Sequence, residues 1–191
     1  PKFLKIAMSL CLQTTHAVNE ISRIRYDLKK PKEGMCGCMM FNSPETNIDE
    51  KTGERIKIYG TLFIHRKKVE QEETSLVAIP IGKELNSIIE DSRDNILSPY
   101  VVHRLPDNTS NGIAEGNDHI TQLTSRYIST AFSKVRDELG LYNHLKLIER
   151  PTFHEIRALS GFLFKHIGGV NPQQRMAHKN EKTTEIYTEG H

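Results

Sequence analysis

Two strand-forming runs set inside an otherwise helix-patterned chain constrain the fold most. Arg55 to Ile64 is rich in β-branched and aromatic residues, and Leu76 to Ile81 repeats that character with Pro80 closing it. The charged segment Val69 to Glu73 between them forms the tip of a hairpin. On either side the apolar spacing is helical. Residues 3–12 predict a buried helix that breaks at Thr14-Thr15-His16, and Val18, Ile21 and Ile24 mark a short second one. Leu85, Ile88 and Ile89 mark a third, ended by Asn95 and Pro99. Thr124 to Leu139 is amphipathic, with Tyr127, Ile128, Ala131, Phe132, Val135 and Leu139 on one face and Gly140 at the C-cap position. Thr152 is the expected N-cap of a helix from Phe153 to about His166, with Ile156, Leu159, Leu163 and Phe164 toward the core and Gly168-Gly169 ending it. Pro172 opens a short helix through Ala177, and Lys182 to Tyr187 make a last helical turn or two. Tyr100 to Val102 reads as a short buried strand, Pro106 to Asn117 as a loop, and Lys29 to Asn47 as irregular or a short hairpin. The expectation is an α+β fold, mainly helical, with one small antiparallel sheet or hairpin, in a single domain over 1–191.

Composition removes several classes. No apolar run approaches the ~18 residues of a membrane span, and the opening PKFLKIAMSLCLQ is interrupted by Lys5 and Ser9, so neither a membrane protein nor a signal peptide is expected. Three cysteines build no complete disulfide framework and suit a reducing compartment. Cys36-Gly37-Cys38 with Cys11 lacks zinc-ribbon spacing, so three buried or half-buried thiols and no metal are expected, with Cys36 oxidisable if exposed. The net charge of +2 indicates no partner by itself, but its distribution is uneven. His144 to Lys182 carries Lys146, Arg150, Arg157, Lys165, Arg175, Lys179 and Lys182 against Glu149, Glu155 and Glu181, and His65-Arg66-Lys67-Lys68 is a second basic knot.

The chemistry gathers at the C-terminal end. His154 and Arg157 stand at i, i+3 on one helix, placing an imidazole beside a guanidinium. A guanidinium forks onto two phosphate oxygens, and an imidazole exchanges a proton near neutral pH. His178 follows, and Tyr187 stands nine residues further on. A tyrosine so placed suits a phenolic nucleophile.

HEIRALSGFLF, then a loop, then RMAHKNEKTTEIY resembles the C-terminal signature of the tyrosine recombinases, the phage integrase family. That pattern is His-x-x-Arg, then Gly-His, then the nucleophilic tyrosine; His154, Arg157, His178 and Tyr187 match it, with Ala177 in place of the glycine. The resemblance implies the recombinase catalytic fold and a lysine on the β-hairpin, placed at Lys68 with Lys67 as the alternative. It also implies an arginine in a segment that here reads Thr14-Thr15-His16-Ala17-Val18-Asn19-Glu20-Ile21, where Ala17 occupies the arginine position. Arg23 and Arg25 lie further along and are not obvious substitutes. Residues 29–59 read as an insertion relative to compact members.

The implied activity is site-specific DNA recombination or integration by transesterification, without metal, ATP or other cofactor. Tyr187 would attack the phosphate, Arg157 clamp it, His154 and His178 hydrogen-bond it, and Lys68 protonate the leaving oxygen. With Ala17 the enzyme is expected to be impaired. Backbone contacts are expected from Lys67, Lys146, Arg175 and Lys179. The partners implied are double-stranded DNA attachment sites, a homotetramer forming a Holliday junction on DNA, and accessory DNA-bending proteins, in the cytoplasm of a bacterial host. The family's N-terminal DNA-binding domain is absent from this chain, which alone is expected to be a monomer. A type IB topoisomerase-like nicking-closing enzyme and a non-catalytic DNA-binding derivative are the alternatives.

Overall fold

A computed structural model describes residues 1–32, 34–48, 53–66, 76–107 and 112–167. The first helix, α1 (Lys2–Thr14), buries Phe3, Leu4, Ile6, Ala7, Leu10, Cys11 and Thr14. Those positions spread around most of its circumference, as in a helix packed on several sides. It touches α2 (Val18–Ile21), α3 (Lys83–Ser92), α4 (Ser125–Glu138) and α5 (His154–His166). The break falls where the sequence placed it. Thr15 takes φ +62° as the left-handed cap, and its amide donates to the Cys11 carbonyl. The chain then turns through buried His16 into α2.

The sheet runs in the order β1 (Ile24–Arg25), β2 (Cys36–Ile48), β3 (Arg55–His65), β4 (Leu76–Pro80). β2–β3 and β3–β4 are antiparallel, and two-residue β1 adds a parallel edge to β2, so the sheet is mixed rather than purely antiparallel. The stretch expected to be irregular or a short hairpin contains the long strand β2. Its outer half, from Asn42 to Asn47, has weak strand propensity but is held by its ladder to β3. The register shifts between Met40 and Glu45, a span containing Pro44, which has no N–H to donate. The inner residues Cys36, Cys38, Leu62, Ile64 and Ile79 join the core with α1 and with Ile21, Ile24, Leu85, Ile89, Val101, Ile128 and Phe153.

Residues 100–102 are buried as expected but form no ladder. Isolated bridges Arg25–Tyr100 and His103–Gln122 hold the segment, and the Val101 amide donates to Ile24 O. In α4 the Thr124 hydroxyl caps the Tyr127 amide rather than opening the helix, and Gly140 has φ +69° just past the end, as read from sequence. Of its predicted face, Ile128 is fully buried and Ala131, Phe132 and Val135 pack on the core. Tyr127 and Leu139 stay exposed.

The largest correction concerns α5. Its buried residues are Arg157, Ala158, Ser160 and Gly161; Ile156 packs on the core as expected, whereas Leu159 is exposed and Leu163 and Phe164 are half-buried. Small side chains let α5 approach α1 closely, and Ser160 Oγ donates to Leu12 O at 2.5 Å. The apolar residues sit beside that contact rather than in it. None of the helices in the described residues is long and apolar enough to cross a membrane.

Candidate active site

α5 begins at His154, one residue later than predicted, with Phe153 as the N-cap residue. Thr152 still organises the start. Its hydroxyl accepts from the His154 amide at 3.3 Å, and Glu155 Oε2 accepts from the Thr152 amide and hydroxyl at 2.7 and 2.6 Å. Phe153 is 2% exposed and packs edge-on against Phe132, with ring centroids 5.8 Å apart. Upstream, Arg136 donates to Pro151 O at 2.5 Å, and Asp137 accepts from both Arg136 and Arg150. These contacts fix where the first turn of α5 stands relative to α4.

A hollow of about 340 Å³ opens at that point. Ala17 and Val18 line it from the start of α2, Cys11 from α1, Ser129, Thr130 and Ser133 from α4, and Thr152, Phe153, His154 and Arg157 from α5. Two stretches far apart in sequence thus place Ala17, His154 and Arg157 around one space, and α4 supplies a third side. Arg157 is buried and His154 exposed, so the guanidinium forms the inner wall and the imidazole the rim. A helix N-terminus with a guanidinium one turn in suits an anion, and the α4 hydroxyls add neutral donors opposite. Burial pushes the Cys11 thiol up to about 12; nearby Arg157 pulls it down and Glu20 pushes it further up. That thiol is therefore a neutral wall of the hollow, not a second anion.

Glu20 is buried at 4% exposure, one turn along from Ala17. The other arginines of this segment are engaged elsewhere. Arg23 donates to the carbonyls of Asn19, Gly34 and His65; Arg25 lies over Tyr100 and pairs with Asp118. Neither lines the hollow. Lys146 is exposed in the α4–α5 connection, at the start of the 3-10 turn Leu147–Glu149, and does not line it either. Lys67, Lys68, Arg175, His178, Lys179 and Tyr187 lie outside the described residues.

Sequence reasoning missed the hydroxyl wall. Ser129 and Ser133 at i, i+4, with Thr130 between them, form a polar stripe beside the apolar face of α4, and that spacing was the available signal. Cys11, expected as a buried or half-buried thiol, is buried and lines the hollow, a place the sequence did not assign it. The proviso on Cys36 is settled by its burial at 1% exposure.

No family model matches the chain. Over 129 residues, 63% of this chain and 32% of the relative, it is 30% identical to the integrase of Enterobacteria phage P21; the chain thus spans about a third of that relative's length. The lambda integrase catalytic core shares the fold at a TM-score of 0.51 and 20% identity, over 94% of this chain and 85% of that one. A lambda integrase tetramer bound to a Holliday junction matches at a TM-score of 0.62 and 18% identity, over 98% of this chain and 42% of that one.

Proposed function

From its place among the relatives of the tyrosine-recombinase integrases, whose catalytic-domain fold it carries, we propose that this chain cuts and rejoins DNA for site-specific recombination through a 3′-phosphotyrosyl link on Tyr187. The observation that carries this reading is the meeting of Ala17, His154 and Arg157 at one anion-suited hollow. A scissile phosphate would sit there. Arg157, desolvated by burial, would neutralise charge growing on the non-bridging oxygens, where its effect is larger than in water. His154 at the rim, joined by His178, would hydrogen-bond the same oxygens. The Tyr187 phenol passes its proton to His154 as its oxygen attacks phosphorus and the bond to the 5′-oxygen breaks, and Lys68 or Lys67 supplies the proton that the leaving oxygen takes. The phosphotyrosyl ester keeps the energy of the broken phosphodiester, so a second 5′-hydroxyl can reverse the step without an external source. With Ala17 the phosphate lacks one cationic contact, and turnover is slow as a result.

The chain would act on double-stranded DNA in a bacterial cytoplasm as a tetramer built on the DNA, with accessory bending proteins, and as a monomer alone. The test is covalent trapping. The protein is incubated with a pool of nicked, end-labelled duplexes of randomised core sequence, and adducts surviving detergent are mapped by proteolysis. A phosphotyrosyl peptide at Tyr187, absent in Tyr187→Phe, is the expected result. Detergent-stable adducts that persist in Tyr187→Phe, or none from any duplex in the pool with Ala17→Arg as well, would overturn the reading.

A further inference from the structure

The hollow is built from helices, whereas the basic run His65-Arg66-Lys67-Lys68 leaves the end of β3. One side chain joins the two. Arg23, just past α2, donates from Nε to Asn19 O at 3.1 Å, from Nη1 to Gly34 O at 3.0 Å and from Nη2 to His65 O at 2.8 Å. Its planar fork thus spans three separated segments, and one of them, Asn19, lies two residues from Ala17 in the hollow wall. His65 is held from its other sides as well. Its Nδ1 accepts from the Gly34 amide at 3.0 Å, and its backbone amide donates to Cys36 Sγ at 3.4 Å. The side chain of His65 is buried, so the last residue of β3 has little freedom to shift. Gly34 takes φ +74°, which brings both its amide and its carbonyl into the knot.

We infer that Arg23 is a positioning residue: it sets the end of β3 against the Ala17–Glu20 segment, and so sets where the basic run after His65 begins relative to the phosphate. This inference rests on the function proposed above. Arginine suits the task because its donors diverge in one plane at fixed angles, whereas lysine offers a single point of attachment. A knot of this kind affects one chemical event more than others. Protonation of the leaving 5′-oxygen depends on a group delivered from the β3 side. Phosphate clamping by Arg157 depends on α5.

The test compares two leaving groups. With an ordinary duplex, Tyr187 Oη bonds to phosphorus, the bond to the 5′-oxygen breaks, and that oxygen must take a proton. With sulfur in the 5′-bridging position, the phosphorus–sulfur bond breaks and the thiolate departs with its electron pair, needing no acid. Single-turnover adduct formation is measured on both duplexes for this chain, its Ala17→Arg variant, and each combined with Arg23→Met or Arg23→Lys. Arg23→Met is expected to slow the oxygen duplex on the order of a hundredfold, the scale of a misplacement of about 1 Å. The sulfur duplex should change by less than about threefold on the same argument, with DNA affinity by gel shift unaltered. Arg23→Lys should behave like Arg23→Met. Equal losses on both duplexes, or full recovery with lysine, would overturn the inference, because the first marks general loosening and the second a role for charge alone. If Arg23→Met loses its cooperative melt, the oxygen-to-sulfur ratio is read on Arg23→Lys, and an unchanged ratio there overturns the inference equally. No adduct from the parent proteins on either duplex removes the proposed function and this inference with it, an outcome distinct from equal losses.

Discussion

Replacing Ala17 by arginine tests the register and the site together. Ala17 lies in extended conformation (φ −73°, ψ 161°) ahead of α2, which any side chain tolerates. The hollow of about 340 Å³ beside it has room for the longer chain. Two opposing effects set the outcome. A guanidinium next to Arg157 is repelled: at about 5 Å and an effective dielectric of about 20 the interaction costs roughly 3 kcal/mol. Water reaches the hollow and Glu20 lies one turn away, so a net loss of about 1–2 kcal/mol is reasonable, or roughly 2–8 °C in melting temperature for a chain of this size. On the proposed mechanism the same charge would meet the phosphorane. A preorganised donor of this kind contributes about 2.7–4 kcal/mol to the transition state, which raises cleavage roughly a hundred- to a thousandfold. The assay is single-turnover adduct formation on nicked duplex beside thermal melts with and without inorganic sulfate. Ala17→Arg should melt lower than the parent, regain much of the difference with sulfate, and cleave far faster. Val18→Arg is the control, because Val18 lines the same hollow but packs on the core. It should lose stability with no gain in rate. A gain below about tenfold for Ala17→Arg, set against the donor scale used here, or an equal gain for Val18→Arg, would show that the arginine position lies elsewhere.

Three further outcomes follow from the packing. A Cβ on Gly60 would stand 2.3 Å from Met39 O and 2.8 Å from Met40 Cα, both backbone atoms; Gly60→Ala should therefore cost about 2–3 kcal/mol, read as roughly 4–12 °C in the melt. Burial works to raise the Asp94 carboxyl, but hydrogen bonds from His103 and the Ile96 amide outweigh it and hold the group below its ordinary range. Its stabilisation is therefore complete above the unfolded value of about 3.9 and fades as pH falls through the lower folded value. Melts of Asp94→Asn should lie below the parent near pH 6, with the gap closing toward about pH 3, and a gap independent of pH would refute the assignment. Burial pushes the Cys11 and Cys38 thiols up to about 12, so mass spectrometry should find both unalkylated by iodoacetamide in the native protein at pH 8 and modified after denaturation.

Much of the scaffold was legible because local chemistry and tertiary packing agree. The Thr14-Thr15-His16 break, Gly140 and the β3–β4 pairing are settled within a few residues of chain. Reading failed where a partner decides. The outer half of β2 is polar and exposed, and only the ladder to β3 makes it a strand. On α5, hydrophobic spacing pointed to Leu159 and Leu163, but close approach to α1 selects Ala158, Ser160 and Gly161, whose small size no moment or period rewards. The same rotation turns Arg157 inward, which explains how a charged residue came to be buried. Of the site, motif order named Ala17, His154 and Arg157, which line one hollow. The hydroxyls of α4 and the Arg23 knot were not legible, because each acquires meaning only beside a segment distant in sequence.

The state of the hollow bears on whether Ala17 marks a working enzyme with one part missing or a descendant that has left catalysis. A buried guanidinium is costly to keep, and replacing such a group by a well-packed apolar side chain is often neutral or stabilising. A chain relieved of handling phosphate gains stability by losing Arg157 and filling the space with leucine or methionine. Here the space is open, Arg157 is 5% exposed, and Ser129, Thr130 and Ser133 line the opening beside Ala17, Val18 and Phe153. On the proposed function, the surroundings of position 17 are those of a site still shaped for an anion. On the proposed reading the defect is local, so a single side chain should be enough to restore the rate, and a wider set of compensating changes should not be needed.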